Sequence, residues 1–161
     1  MFLTCLTMII IDYYNFLYSR YVDINEVTVK RNLKLLSTFF AEKHFYVKIV
    51  FDGIYFQDII FVHEKISLLF SSNKTADDII KDLFKKLYGK ANMLISRDKN
   101  LTTYIKRTYD ARIIDPILMW KQLDMFSKFL PQDHNQRKSS IKKTTDYVDE
   151  ELDNLYEGMK K

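Results

Sequence analysis

The chain of 161 residues has one cysteine, three glycines and two prolines. A lone Cys5 gives no disulfide framework and no thiolate metal cluster; with no His, Asp or Glu motif around it, it reads as a small buried apolar residue. Gly53, Gly89 and Gly158 cannot compose a P-loop or a dinucleotide fingerprint, so any phosphate chemistry has to come from side chains and metal. Histidine is equally scarce: His44, His63 and His134 are scattered, and each reads as a surface or core residue rather than a catalytic base. No apolar stretch approaches a membrane span. The apolar start, residues 1–11, lacks the basic region and small-residue cleavage site of a signal peptide. The expected setting is a reducing cytoplasm with no membrane partner.

What is present is a large apolar fraction, 47%, with 15% aromatic residues, enough for one packed core. The net charge is +4. Residues 1–130 hold 19 Lys and Arg against 14 Asp and Glu, whereas residues 131–161 hold six against seven. A basic body suits a polyanionic partner.

The apolar runs alternate between strand and helix periods. Met8–Ile11, Tyr46–Phe51, Ile66–Phe70, Ala91–Ile95 and Ala111–Ile114 read as strands buried on both faces. Between them, Asp23-x-x-Glu26 predicts a capping box for a helix with Val29, Leu33, Leu36 and Phe40 inward. Thr75-x-x-Asp78 does the same for a helix carrying Ile80 and Phe84. A helix follows near residues 100–109, and Asp115-Pro116 starts another, with Met119, Leu123, Phe126 and Leu130 apolar. Repeated β-α units predict an α/β fold with a mostly parallel sheet and right-handed crossovers. The composition divides the chain into a domain over 1–130 and a polar linker with a short helix over 131–161. The apolar spacing within 145–157 fits a docking or protein-partner helix.

Four aspartates stand where an apolar run stops: Asp12, Asp52, Asp77 and Asp98. In open α/β sheets the working crevice lies beyond the carboxyl ends of the strands, so four elements would deliver four acids to one place. Such carboxylates repel unless a cation sits among them, and Mg²⁺ or Mn²⁺ is the expected cofactor. Each acid also has a structural alternative as a helix cap. Asp77 and Asp78 separate the two readings: Asp78 falls opposite the apolar stripe, where capping suffices, and Asp77 falls on the border of the buried face. Asn15 is placed to orient Asp12 or contact phosphate, and Ser96 to hydrogen-bond water or phosphate beside Asp98. Arg31, Lys34, Arg97 and Lys99 are the candidate contacts to the phosphate backbone of a polyanion, set against ordinary solvated surface.

Ile10-Ile11-Asp12-Tyr13-Tyr14-Asn15 is similar to the hydrophobic-Asp-Gly-Tyr-Asn opening of NYN-domain proteins, in the YacP-like branch of the PIN-like nucleases. Arg31 ahead of Leu33, Leu35 and Leu36, then Val50-Phe51-Asp52-Gly53, Thr75-Ala76-Asp77-Asp78-x-Ile80 and Ile95-Ser96-Arg97-Asp98 continue the resemblance in order, over roughly residues 7–125. It departs at Tyr13, where the family has glycine, and at Asp110-Ala111, where it has Gly-Ala. The resemblance implies a three-layer α/β/α sandwich that hydrolyses RNA with a divalent metal. Asp12, Asp77 and Asp98 would be the principal ligands, Asp52 would lie near the metal, and Asn15 would support them. The general base would be a water whose pKa the cation lowers.

The function read from these residues is a metal-dependent endoribonuclease. Its RNA substrate would be free or part of a ribosome or another RNA-protein particle. A catalytically degenerate PIN-like module that binds RNA or protein is the alternative, favoured by Tyr13 and by the partner-like tail. A phosphoacceptor receiver lacks its paired acids here, since Ile10-Ile11 precede Asp12, and a haloacid-dehalogenase-type phosphatase lacks Asp-x-Asp at Asp12-Tyr13-Tyr14.

Overall fold

The computed structural model describes residues 7–20, 23–41, 43, 45–53 and 63–130. In chain order these form β1 (Met8–Asp12), α1 (Tyr13–Tyr18), α2 (Glu26–Ala41), β2 (Tyr46–Phe51), β3 (Ile66–Phe70), α3 (Ala76–Lys86), β4 (Ala91–Ile95), α4 (Lys99–Tyr109), β5 (Arg112–Ile114) and α5 (Pro116–Phe129). Cys5, His44, His134 and the linker and helix expected over 131–161 lie outside the described residues. The chain divides into two compact units, residues 1–119 and 120–161. The described part of the second is the remainder of α5, where Leu123 is fully buried.

The five β-branched and aromatic runs pair into one parallel sheet of order β3-β2-β1-β4-β5. Met8 aligns with Tyr46 and Asp12 with Val50, while Phe51 aligns with Phe70 and Ile11 with Ile95. The chain winds from β1 outward to β3, then crosses back to β4 on the other side of β1. The winding therefore reverses between β1 and β4, and a ligand crevice opens at such a switch point. Right-handed crossovers place α3 and α4 on the face opposite α2. On the α3–α4 face, Ile10, Val50 and Leu94 from the sheet pack with Ile80, Phe84, Leu101 and Ile105. Burial of about 25 cal/mol per Å² of such apolar surface fixes the helices to the sheet.

The helix ends follow local chemistry. Thr75 and Asp78 form the expected capping box of α3, Thr75 Oγ1 accepting from the Asp78 amide at 3.2 Å. Asp115 caps α5 through the Ile117 amide at 2.9 Å. Asp110 takes the left-handed conformation at the end of α4, with φ 52°, a geometry that Asp tolerates better than most side chains. The expected box at Asp23 and Glu26 is corrected. Asn25 and Thr28 form it instead, with Asn25 Oδ1 accepting from the Thr28 amide at 3.0 Å and Thr28 Oγ1 accepting from the Asn25 amide at 3.1 Å. Asp23 contributes only its carbonyl, which accepts from the Thr28 hydroxyl. Two overlapping spacings compete here, Asp23 to Glu26 and Asn25 to Thr28, and the one adjoining the first helical residue wins. The sequence reading also passed over α1, a six-residue helix too short to show a period.

Asn25→Ala should cost about 1 kcal/mol of stability in urea denaturation, and Asp23→Ala only tenths of that. The reverse order would restore the Asp23 box.

Candidate active site at the carboxyl edge of the sheet

Successive side chains alternate across a strand, and the alternation carries past the strand ends. Ile10, Val50, Leu69 and Leu94 all belong to the apolar layer beneath α3 and α4. Two residues further, the same alternation brings Asp12, Asp52, Ser71 and Ser96 to that face. Four neighbouring strands thus switch from apolar to polar at one edge. The switch is made by hydrogen-bonded pairs: Ser96 Oγ donates to Asp12 Oδ2 at 3.1 Å, and Ser71 Oγ donates to Asp52 Oδ1 at 2.9 Å. Gly53, at φ 110°, turns its amide back onto Ser71 Oγ at 2.8 Å, a backbone geometry that favours glycine.

Asp12 is the most enclosed of the four acids, at 8% exposed. Burial is the main cause that pushes its carboxyl from 3.8 up to about 6; the Asp77 and Asp98 charges add to this, and hydrogen bonds from Ser96 and the Asn15 amide oppose it. Asp77 is the second residue of α3, half-buried. Its carboxyl is raised first by burial and then by Asp98, with Lys81 pulling the other way. Its neighbour Asp78 is lowered by its hydrogen bonds to Thr75, as a capping residue should be. Asp98 caps α4 by accepting from the Leu101 amide at 2.8 Å, while its own amide donates to Ser96 Oγ at 3.1 Å. One serine hydroxyl therefore ties the end of β1 to the head of α4. Capping occupies one oxygen of Asp98, and a carboxylate has about four acceptor positions.

The structure brings Asp12, Asp77, Asp98, Ser96 and Asn15 into one neighbourhood, with Asp52 coupled to it through the charge of Asp77. Asn15 acts at two points: its amide serves Asp12, and its Oδ1 accepts from the Arg97 amide at 2.6 Å. Arg97 is exposed, with Nε 3.4 Å from Asp115, and Lys99 is exposed at the first position of α4. Arg31 and Lys34 are exposed on α2. His63 is spent locally, its Nδ1 accepting from the Lys65 amide at 3.3 Å. Sequence reasoning missed Ser71, Tyr14 and Lys81. Ser71 had a usable signal, since it follows β3 as Ser96 follows β4; Tyr14, raised first by burial and also by the charges of Tyr18 and Asp52, had none.

Tyr13 does not enter the crevice. It is fully buried as the first residue of α1, and its hydroxyl donates to the Val29 carbonyl at 2.6 Å. Right-handed helical backbone at this position needs no glycine, so the departure from the family opening leaves the approach to Asp12 unchanged.

Among the described residues, no group of three or more His, Cys, Asp or Glu side chains is close enough to hold a metal ion unaided. The donors are all hard oxygens, and Asp12 is a buried acid between two like charges. That set fits a hard divalent cation that keeps much of its water and takes one or two carboxylates, as Mg²⁺ does; it does not fit a thiolate or imidazole metal.

A family model for the YacP-like NYN domain matches residues 9–161, so the match runs through the tail as well as the 7–125 stretch where individual residues carry the resemblance. The crystal structure of Rae1 (YacP) from Bacillus subtilis is similar at TM-score 0.65 and 15% identity, over 95% of this chain and 94% of that one. A single-substitution mutant of that protein gives 0.62 and 13%, over 87% and 91%. At these identities the likeness shows the fold. No curated protein sequence matches this chain. No described helix is long and apolar enough to cross a membrane. With its five-stranded parallel sheet and its acids gathered at the switch point, the chain belongs to the YacP-like NYN domain family, a PIN-like, nuclease-type domain.

Proposed function

We propose that the protein is a divalent-metal-dependent endoribonuclease that hydrolyses RNA phosphodiester bonds at the Asp12, Asp77 and Asp98 cluster. The observation that carries this reading is Asp12: a carboxylate held at 8% exposure by Ser96 and the Asn15 amide, with two more acids acting on it from α3 and α4. Isolated buried charge is costly, and a fold that builds around it in this way is arranged for a cation.

Asp12, Asp77 and Asp98 would hold Mg²⁺ or Mn²⁺, one or two of them directly and the rest through the ion's water, with Asp52 at the margin. When bound, such an ion lowers the pKa of water and offsets the charge that develops on a phosphodiester undergoing in-line displacement. Ser96 fixes the Asp12 carboxylate and the head of α4 together, so the two acids keep their spacing. Asn15 holds the Arg97 backbone, and Arg97 and Lys99 flank Asp98 where a substrate phosphate would approach. Arg31 and Lys34 would extend the basic rim along α2. These contacts reach the backbone rather than the bases, so sequence preference should be weak. RNA within a ribosome or another RNA-protein particle would meet the same site, and residues 145–157 are proposed as the protein-partner segment.

The direct test is cleavage of single-stranded and structured RNA by the purified protein with Mn²⁺. Asp12→Asn and Asp98→Asn should each lower the rate about 100-fold or more, because charge stabilisation by a bound cation is worth several kcal/mol. A folded wild-type protein that binds RNA but cuts none with Mn²⁺ would favour the non-catalytic module instead.

A second prediction follows from the burial of Asp12. Its folded value of about 6 lies above the ordinary 3.8, so the folded protein holds the extra proton between those values. The stabilising contribution of protonated Asp12 is full below 3.8 and is lost as pH rises through 6. In EDTA, Asp12→Asn should therefore raise Tm over wild type at pH 8 and by much less at pH 4.5, with a ceiling of about 3 kcal/mol. Equal Tm differences at both pH values would mean that Asp12 carries no unbalanced charge.

A further inference from the structure

Away from the acids, α3 and α4 are joined by a seam of tyrosines. Tyr109 at the end of α4 meets Phe84 at 5.7 Å and Tyr88 at 6.1 Å from α3 and its following turn, and Tyr104 at 6.3 Å from its own helix. Lys81 Nζ lies 5.4 Å from the centre of the Tyr104 ring. Apolar packing accounts for Phe84 and Tyr109, but not for rings left in water: Tyr88 is 73% exposed and Tyr104 44%. Along α3, Asp77, Lys81 and Lys85 recur at steps of four, so they form one stripe that starts at the acid cluster, and Tyr88 follows in the turn after the helix. From Asp77 to Lys85 the stripe runs about 12 Å at 1.5 Å per residue. Arg107 stands one turn beyond Tyr104 on α4. The acid beside this stripe, Asp82, is already paired with Lys74 at 2.8 Å. Basic residues in the last turn of a helix complement its dipole, which explains some of the charge and none of the exposed rings.

We propose that the α3–α4 seam is a binding track for single-stranded RNA that leads to the acid cluster, with Tyr88 and Tyr104 as stacking platforms and Lys81, Lys85 and Arg107 as phosphate contacts. Exposed rings alternating with cations match a chain that alternates unstacked bases with phosphates, and every base has a face to stack. A duplex hides those faces, and an acidic peptide has charge without them. The track deepens the nuclease reading and rests on it for what happens at the acid end, but its binding is independent of cleavage.

The test is fluorescence anisotropy of a short labelled oligouridylate with the full chain in EDTA, titrated with salt, on protein whose fold is checked by circular dichroism. Tyr88→Ala with Tyr104→Ala should weaken binding about tenfold or more and leave the salt dependence as in wild type. Lys85→Gln with Arg107→Gln should flatten the salt slope by about 1.4, two phosphate contacts at about 0.7 each. Tyr88→Ala alone, outside the helix, serves where the double tyrosine variant is destabilised. Neither pair should alter Mn²⁺ binding. Unchanged affinity and slope in both pairs would overturn the proposal, as would equal binding of duplex RNA or equal displacement by polyglutamate. Binding that falls in the variants, with no cleavage by wild type in Mn²⁺, would keep the track and remove the nuclease reading.

Discussion

A carboxylate kept out of water at the end of the central strand sets the terms for everything around it. Asp12 terminates β1, which is flanked by β2 and β4, and is nearly as buried as the core residues that precede it. Desolvation of that group is opposed by only two local hydrogen bonds, from Ser96 and from the Asn15 amide. The amino ends of α3 and α4 are brought to the same edge, and the positive ends of their dipoles give partial relief. Yet each helix also delivers a carboxylate, Asp77 and Asp98, whose charge acts against Asp12. The local balance is thus left negative by construction, and a divalent cation is the partner that would close it.

Serine hydroxyls are the joints of this edge. Ser96 accepts from the Asp98 amide while donating to Asp12, so strand and helix cannot shift independently. Ser71 repeats the device between β3 and β2, accepting from the Gly53 amide while donating to Asp52. Asp12, Asp77 and Asp98 are coupled through space, whereas Asp52 is exposed and joined to them mainly through the charge of Asp77. That grading sets three coupled acids at the switch point apart from an exposed acid one strand away.

Much of this was legible in the sequence, because long apolar runs with β-branched residues and two strong caps mark the strands and helices directly. All five strands and the helices from Val29, Ile80, Leu101 and Met119 onward stand where their periods predict. The contrast between Asp77 and Asp78 was also legible from helical angle alone, and the two carboxyls shift in opposite directions as that angle requires. Other features were not. The box at Asn25 and Thr28 overlaps the Asp23 and Glu26 spacing, and only the three-dimensional start of α2 decides between them. Tyr13 looked like a breach of the family opening because a sequence does not show where a side chain points; it turns into the core, onto the Val29 carbonyl. Ser71 follows β3 as Ser96 follows β4, but its partner Asp52 is distant in the chain, whereas Lys81 stands one helical turn from Asp77, a spacing that ordinary surface pairs share.

Paramagnetic broadening of backbone amide signals by Mn²⁺ reads the position of the cation without relying on activity. The account predicts that broadening is strongest at Asp12 to Asn15, at Asp77 and at Ser96 to Lys99, is weakest at Met8 and Tyr46 on the opposite edge of the sheet, and is abolished by Asp12→Asn. Broadening centred elsewhere, or none at Mn²⁺ concentrations that saturate hard-oxygen sites, would contradict the claim that these acids form a metal centre.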